Sequence, residues 1–141
     1  MNPDPASFPP VMNATIGYYS LIQYCPDRMK LEAANMGVLL YEPESRFLQA
    51  RLAKSNERIL RFFGVEAGDL KQIDAMKVIL LHRLEAESER IGNVEDLGRF
   101  AELLANEIVI TPPRAMLVEE PDLDLKRLFD EVMGGDALSD F

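Results

Sequence analysis

Residues 36–53 read MGVLLYEPESRFLQARLA, and this stretch decides the fold class. Residues 36–41 are continuously apolar, which predicts a central strand buried on both faces. Residues 42–45 are Glu-Pro-Glu-Ser, a composition typical of a turn. Residues 47–53 then alternate between apolar and polar side chains, as a half-buried strand does. The stretch therefore predicts a β-hairpin.

Further extended segments lie on both sides of the hairpin. Residues 16–25 are rich in aromatic and branched side chains and stop at Pro26, so they predict a strand. Residues 108–110 and 116–118 predict two short strands, and a segment containing two prolines separates them. The strands before and after the helical region of the chain add up to four or five.

Helical periodicity fills the rest of the chain. Apolar residues spaced three or four apart predict a long helix over residues 69–90; they are Leu70, Ile73, Met76, Leu80 and Leu84. The residues that mark helix ends are Ser55 and Gly64 for the first helix, Asn93 and Asp96 for the start of the third, and Pro121 for the start of the last. Sequential hairpins with grouped helices predict an α+β fold, with an antiparallel sheet of about four to five strands packed against three to four helices. We expect those helices on one side of the sheet.

The two ends of the chain have compositions unlike the middle. Residues 1–13 hold four of the nine prolines, which predicts an extended N-terminal tail. A Gly-Gly pair at 134–135 is expected to stop the last helix and leave residues 134–141 as an acidic C-terminal tail. Residues 14–133 are then a single α+β domain, a normal size for one domain.

Charge and cysteine content narrow the class of protein. The net charge of −9 argues against general affinity for nucleic acid or anionic membranes. With one cysteine, neither an intrachain disulfide nor a zinc site of several thiolates can form. The chain has no apolar run of membrane-spanning length and its first residues do not resemble a signal peptide, so we expect a cytoplasmic protein. No catalytic residue, metal site or cofactor is predicted.

The charge is unevenly distributed along the chain. Residues 46–83 hold eight basic and four acidic side chains (8 − 4 = +4), whereas residues 107–141 hold three basic and nine acidic ones (3 − 9 = −6). A candidate basic face consists of Arg51, Lys54, Arg58 and Arg61. Phosphate or RNA contact is one interpretation of that face, but an ordinary amphipathic helix explains the same spacing.

Charged groups are densely packed between the first two predicted strands. Together with a distant arginine they make a candidate polar site: Asp27, Arg28, Lys30, Glu32, Asn35 and Arg114. One hypothesis is structural, with polar groups holding the crossover loop and Gly37 permitting close backbone approach. The other is a small site in which Glu32 is a general base and the cations hold an anionic substrate.

The same stretch carries a family resemblance. Tyr24, Pro26-Asp27, Glu32, Asn35 and Gly37-Val38 resemble the pattern of the bacterial domain-of-unknown-function family 3037 (DUF3037), and the likeness covers most of residues 17–133. The family pattern has Arg-Gly where this chain has Lys30-Leu31, which weakens bidentate anion binding because lysine lacks the planar fork of arginine. The resemblance implies a small bacterial domain without an established reaction.

Two functions follow as hypotheses. The preferred one is a non-catalytic protein-interaction or regulatory module that uses its acidic C-terminal region or its basic face, or that self-associates through an exposed sheet edge. The family resemblance adds a candidate partner, a persistence-type (HipA-like) kinase, since some members are encoded beside one. The alternative is a small enzyme or anionic-ligand-binding domain that uses the loop at residues 27–35.

Overall fold

The computed structural model describes residues 14–64, 67–104 and 107–134. The predicted N-terminal tail, residues 1–13, lies outside these ranges, and so does the predicted C-terminal tail, residues 134–141, apart from Gly134. The strands are β1 (Thr15–Tyr24), β2 (Ala34–Glu42), β3 (Phe47–Leu52), β4 (Ile108–Ile110) and β5 (Arg114–Val118). The helices are α1 (Glu57–Phe63), α2 (Ala67–Glu87), α3 (Val94–Glu102) and α4 (Pro121–Met133), with a 3-10 turn (Ser88–Arg90) after α2. The predicted antiparallel α+β architecture is confirmed.

The five strands form one antiparallel sheet in which β1 has neighbours on both sides. The order is β3-β2-β1-β4, and β5 also pairs with β1. Because β4 pairs with residues 22–24 and β5 with residues 15–19, the two short strands lie end to end along one side of β1. At the interruption, Thr111 N donates to Leu21 O at 2.9 Å and Leu21 N donates to Thr111 Oγ1 at 2.8 Å.

Helices cover the sheet on both faces. Leu39 and Tyr41 of β2 belong to a core cluster with residues of α1, α2 and α3, whereas Val38 and Leu40 belong to a second cluster with α4. The expectation that helices lie on one side only is therefore wrong. The physical reason is in β2 itself, since a strand with apolar side chains on both faces must be covered on both.

β2 contains a β-bulge next to Gly37, and at this glycine β2 lies unusually close to β3. Ile22 pairs with Gly37 and Gln23 with Asn35, so Met36 is an extra residue on β2. A Cβ atom on Gly37 would lie 2.3 Å from Arg51 O of the neighbouring strand. The predicted close backbone approach at this glycine is confirmed.

The helix starts agree with prediction at α3 and α4, whereas α1 starts one residue later and α2 two residues earlier than predicted. The N-cap of α1 is Asn56 instead of Ser55. Ser55 Oγ still accepts a hydrogen bond from Glu57 N at 3.1 Å, while the Asn56 side chain is engaged with α2. For α3 the predicted capping pair is present, with Asp96 N donating to Asn93 Oδ1 at 2.8 Å.

Candidate functional site

The loop between β1 and β2 is built on hydrogen bonds of its own. Asp27 Oδ1 accepts a hydrogen bond from Met29 N at 3.0 Å, and Asp27 O accepts one from Lys30 N at 3.2 Å. These contacts form a tight turn of the kind that aspartate favours. Cys25 is buried, and its Sγ donates to Asp27 O at 3.7 Å. Asp27 thus organises the start of the loop.

Arg28 connects this loop to another part of the chain. Its Nη2 atom donates to Leu104 O at 3.1 Å and to Ile108 O at 3.3 Å. The guanidinium therefore joins the loop to the segment between α3 and β4. Hydrogen bonds from a charged donor are worth more than neutral ones. Arg28 is engaged in holding the fold together at this end of the sheet.

The other members of the candidate polar site are dispersed. Lys30 and Glu32 are exposed, and the side chain of neither forms a hydrogen bond or ion pair with another residue of the described ranges. Asn35 Oδ1 accepts from Gln23 Nε2 at 2.9 Å across the β1–β2 pair. Arg114 pairs in register with Tyr19 on the opposite side of β1 and lies beside a depression of about 780 Å³. The structure brings Asp27 and Arg28 together in one loop but leaves Arg114 apart.

The residues of the candidate basic face lie on different elements of the structure. Arg51 lies on β3, in register with Val38, and so points toward α4. Arg58 Nη2 donates to Met133 O at 3.0 Å and so caps the C-terminus of α4, a favourable place for a cation. Lys54 and Arg61 are exposed, and Arg51, Arg58 and Arg61 all have interaction partners. Arg58 therefore has a role in the fold, and the basic face stays a prediction.

Lys77 is a buried cation that the sequence analysis did not identify. Its side chain is 0% exposed, and Nζ donates to Ala53 O at 2.6 Å and to Asn56 Oδ1 at 2.7 Å. Burial lowers the pKa of Lys77, and the Asp74 carboxylate 3.6 Å away partly opposes that change. Lys77 lies four residues after Ile73 and three before Leu80, so its place in the apolar stripe was readable from spacing. It anchors the junction between β3 and α1.

Glu42 is a second buried charge that went unnoticed. Its carboxylate accepts hydrogen bonds from Thr15 Oγ1 at 2.8 Å and from Ser45 N at 2.9 Å. Burial raises the pKa of Glu42, but these hydrogen bonds and one from Glu44 N lower it by more, so the pKa is below its ordinary value. The carboxylate joins the β2–β3 turn to the start of β1.

The buried hydroxyl of Tyr24 is expected to lower the stability of the domain at alkaline pH. Burial and the neighbouring Glu107 carboxylate raise the pKa of its hydroxyl from 10.0 to about 12. Between those values the folded chain holds a proton that the unfolded chain has lost, so stability falls as pH rises through this window. We expect a loss of about 1 kcal/mol by pH 11 from this group. Urea unfolding from pH 9 to pH 11 measures it.

Tyr24→Phe is the control for this prediction. Phenylalanine keeps the ring that meets Phe63 edge-on at 5.6 Å but has no hydroxyl to titrate. The free energy of unfolding of wild type should therefore fall relative to that of Tyr24→Phe as the pH rises above 10. A difference in free energy of unfolding between the two proteins that stays constant to pH 11 contradicts the raised pKa.

An uncovered apolar surface lies at the edge of the sheet. Ile16 and Leu117 are cross-strand partners, 58% and 66% exposed, and Tyr18 and Ala115 form the next pair on the same face. We call these four residues the apolar edge patch. β5 pairs only with β1 among the described residues, so its outer side is an open edge. Sequence periodicity could not reveal the patch, because it depends on which strand lies next to β5.

These features define a small α+β domain whose antiparallel sheet is covered by helices on both faces and exposes an apolar edge. The family model described as "Protein of unknown function (DUF3037)" matches residues 19–133. The chain belongs to this family, as the resemblance in its sequence indicated. In the comparisons with curated proteins and with solved structures, nothing matched.

The described residues offer neither a membrane-spanning helix nor a metal-binding cluster. In the described ranges, none of the helices combines the length and apolar content needed to cross a bilayer. Those ranges also hold no group of three or more metal-ligating side chains. Asp124, in the first turn of α4, has a local role, since its Oδ2 accepts from Glu119 N at 2.8 Å and from Glu120 N at 3.1 Å.

Proposed function

We propose that this domain is a non-catalytic protein-interaction module that binds through its β5 edge and the apolar edge patch. The observation that carries the proposal is the cross-strand pair Ile16 and Leu117, each more than half exposed at an open sheet edge. Scattered exposed apolar residues are normal on protein surfaces, but contiguous ones beside an unpaired strand favour association. Addition of a partner strand to such an edge is a common mode of recognition.

The charges around the patch support recognition of another polypeptide. Arg114 stands at one end of β5, and Glu119 and Glu120 follow its other end, all three exposed. A partner strand that carries complementary charges would be aligned by these ends, because charges at an interface rim fix register and orientation. The acidic C-terminal region proposed from sequence as a contact surface thus adjoins the apolar edge patch.

The test is a quantitative pull-down from extract of the native host, with two matched variants. Leu117→Ser removes a leucine of the patch that is 66% exposed, and Leu103→Ser removes one that is 71% exposed at the end of α3. We expect captured protein to fall at least about tenfold with Leu117→Ser and to persist with Leu103→Ser. A HipA-like kinase, suggested by the family resemblance, is the first protein to look for among those captured. Equal capture by both variants would remove the β5 edge from consideration.

The alternative function, binding of an anionic ligand at residues 27–35, has weaker support. Arg28 donates hydrogen bonds to two backbone carbonyls and Asn35 accepts one from Gln23, so both already serve the fold. Lys30 and Glu32 are exposed side chains of the loop that a ligand could contact. Thermal unfolding with added phosphate separates the two functions. A rise in Tm that Lys30→Ala abolishes would favour ligand binding.

A further inference from the structure

We propose that the occupant of the β5 edge is a second copy of this chain, paired antiparallel through β5 about a two-fold axis at Met116. The inference rests on the proposed function, since it uses the same edge, and it adds the identity of one partner. Pairing identical edges about a two-fold axis places each residue against its symmetry counterpart, so the interface must be complementary to itself. Backbone direction, apolar contacts and charge all satisfy that requirement at β5.

The free backbone groups of β5 belong to Ala115 and Leu117. In β1 the odd-numbered residues face β4 and β5, because Cys25 N donates to Glu107 O and Leu21 O accepts from Thr111 N. Backbone groups alternate in direction along an antiparallel strand. By register the odd residues of β1 pair with Arg114, Met116 and Val118, so these three bond inward. The groups of Ala115 and Leu117 therefore point outward.

Pairing about Met116 matches these free groups with each other. Ala115 lies opposite Leu117 of the second copy, and Leu117 lies opposite its Ala115. Each of the two residue pairs can exchange both of its backbone hydrogen bonds. The side chains of both residues lie on the face of the apolar edge patch, next to Ile16 and Tyr18. The two patches would then join into one apolar surface, and Leu117, 66% exposed in the single chain, would become covered.

Charge complementarity supports the same register. With Met116 at the axis, Arg114 lies opposite Val118 of the second copy, the last residue of β5 before its Glu119 and Glu120. The symmetry repeats this arrangement, so one arginine meets an acidic pair at each end of the interface. Long charged side chains next to such a strand pair are within reach of each other.

The opposite edge of the sheet lacks these features. On β3, Leu48 and Ala50 are half-buried against the core cluster of the first face, and Phe47 packs against the cluster that contains α4. Arg51 adds a charge to that strand, a common protection against edge pairing. Among the described strands, β5 is the edge with an uncovered apolar row, which is why we place the second copy there.

The test uses charge-swap variants and mass measurement by light scattering after gel filtration. Wild-type chain, run from about 1 μM to about 100 μM, should reach about twice the 15.9 kDa of one chain. Arg114→Glu alone and Glu119→Arg/Glu120→Arg alone should each raise the dimer dissociation constant about tenfold or more, because like charges then meet at both ends. Mixing the two variants should restore the dimer, since both ends become complementary again. Leu103→Ser is the control and should stay dimeric.

Amide hydrogen exchange tells a second copy from other occupants of the edge. In the dimer, the amides of Ala115 and Leu117 should become protected as concentration rises, while the inward-bonded amide of Met116 is protected at every concentration. A wild-type chain that stays monomeric at about 100 μM overturns the proposal, and so do single variants that dimerise like wild type. Protection of Ala115 in a monomer would assign the edge to another segment of the same chain. A monomer that still captures a host protein in a Leu117-dependent way would retain the proposed function and reject the second copy.

Discussion

Replacing Gly37 with alanine is expected to lower the free energy of unfolding by about 3 kcal/mol and Tm by roughly 10 °C. The new Cβ would lie 2.3 Å from Arg51 O and 2.7 Å from Leu52 Cδ2, closer than atoms can approach without movement. The nearer atom belongs to the backbone of β3, so relief requires a shift of the strand. Thermal and urea unfolding of the purified variant measure the effect.

Gly98→Ala is the matched control, and its effect should have the opposite sign. Gly98 lies inside α3, and a Cβ there would meet nothing within 4 Å. Alanine favours the helix over glycine by about 1 kcal/mol, partly by restricting the unfolded chain. A Gly37→Ala variant as stable as wild type would contradict the tight approach of β3 to β2. A destabilised Gly98→Ala would show instead that the α3 site lacks the space described.

Lys77→Met is expected to lower the free energy of unfolding by about 2 kcal/mol. Methionine fills a similar volume and removes the cost of burying an amine. It also leaves Ala53 O and Asn56 Oδ1 without the donor that lies 2.6 Å and 2.7 Å from them. Unsatisfied buried acceptors cost more than a typical hydrogen bond contributes. We therefore expect the loss of these hydrogen bonds to outweigh the gain from removing the buried amine. Lys71→Met, on the exposed side of the same helix, should change stability by less than about 0.5 kcal/mol.

The effect of Lys77→Met should grow as the pH rises toward 10.5. Burial places the pKa of Lys77 in the folded chain below that ordinary value. In the interval between the two values, the unfolded chain binds more protons than the folded chain, so the stability of wild type rises with pH there. The variant has no amine at this position and lacks that rise. Urea unfolding at pH 8, 9 and 10 measures the free energy of unfolding of both proteins. If it changes with pH equally in both, the lowered pKa is contradicted.

The strand and helix pattern was readable because local signals agree with the fold. The apolar run of β2, the proline-bounded end of β1 and the i, i+3, i+4 spacing in α2 and α4 each reflect burial of one element. The side on which α4 lies was not readable, because packing of an amphipathic helix depends on which sheet face is still uncovered. The apolar β2 run did contain the needed hint, since both of its faces require cover.

The polar residues were harder to interpret for a physical reason. Sequence places Arg28 near Glu32 and Asn35, but its partners Leu104 and Ile108 are more than seventy residues away in the chain. Lys77 has the spacing of a buried position in the α2 stripe, but its charge hides it in a pattern of apolar residues. The predicted role of Lys30 and Glu32 stays a prediction. The apolar edge patch needs the pairing of β1 with β5, which no local pattern encodes.

The pairing of β1 with the last two strands has a consequence for synthesis on the ribosome. Leu21 contacts Thr111, 90 positions later, and Thr15 contacts Val118, 103 positions later. While the chain is still being translated, β1 therefore has one long side without a partner, and the β2 face that α4 will cover stays open to water. Contacts so distant in sequence slow folding and expose aggregation-prone surface in the meantime. We therefore expect a nascent chain of this domain to keep these apolar surfaces exposed until β4, β5 and α4 have emerged.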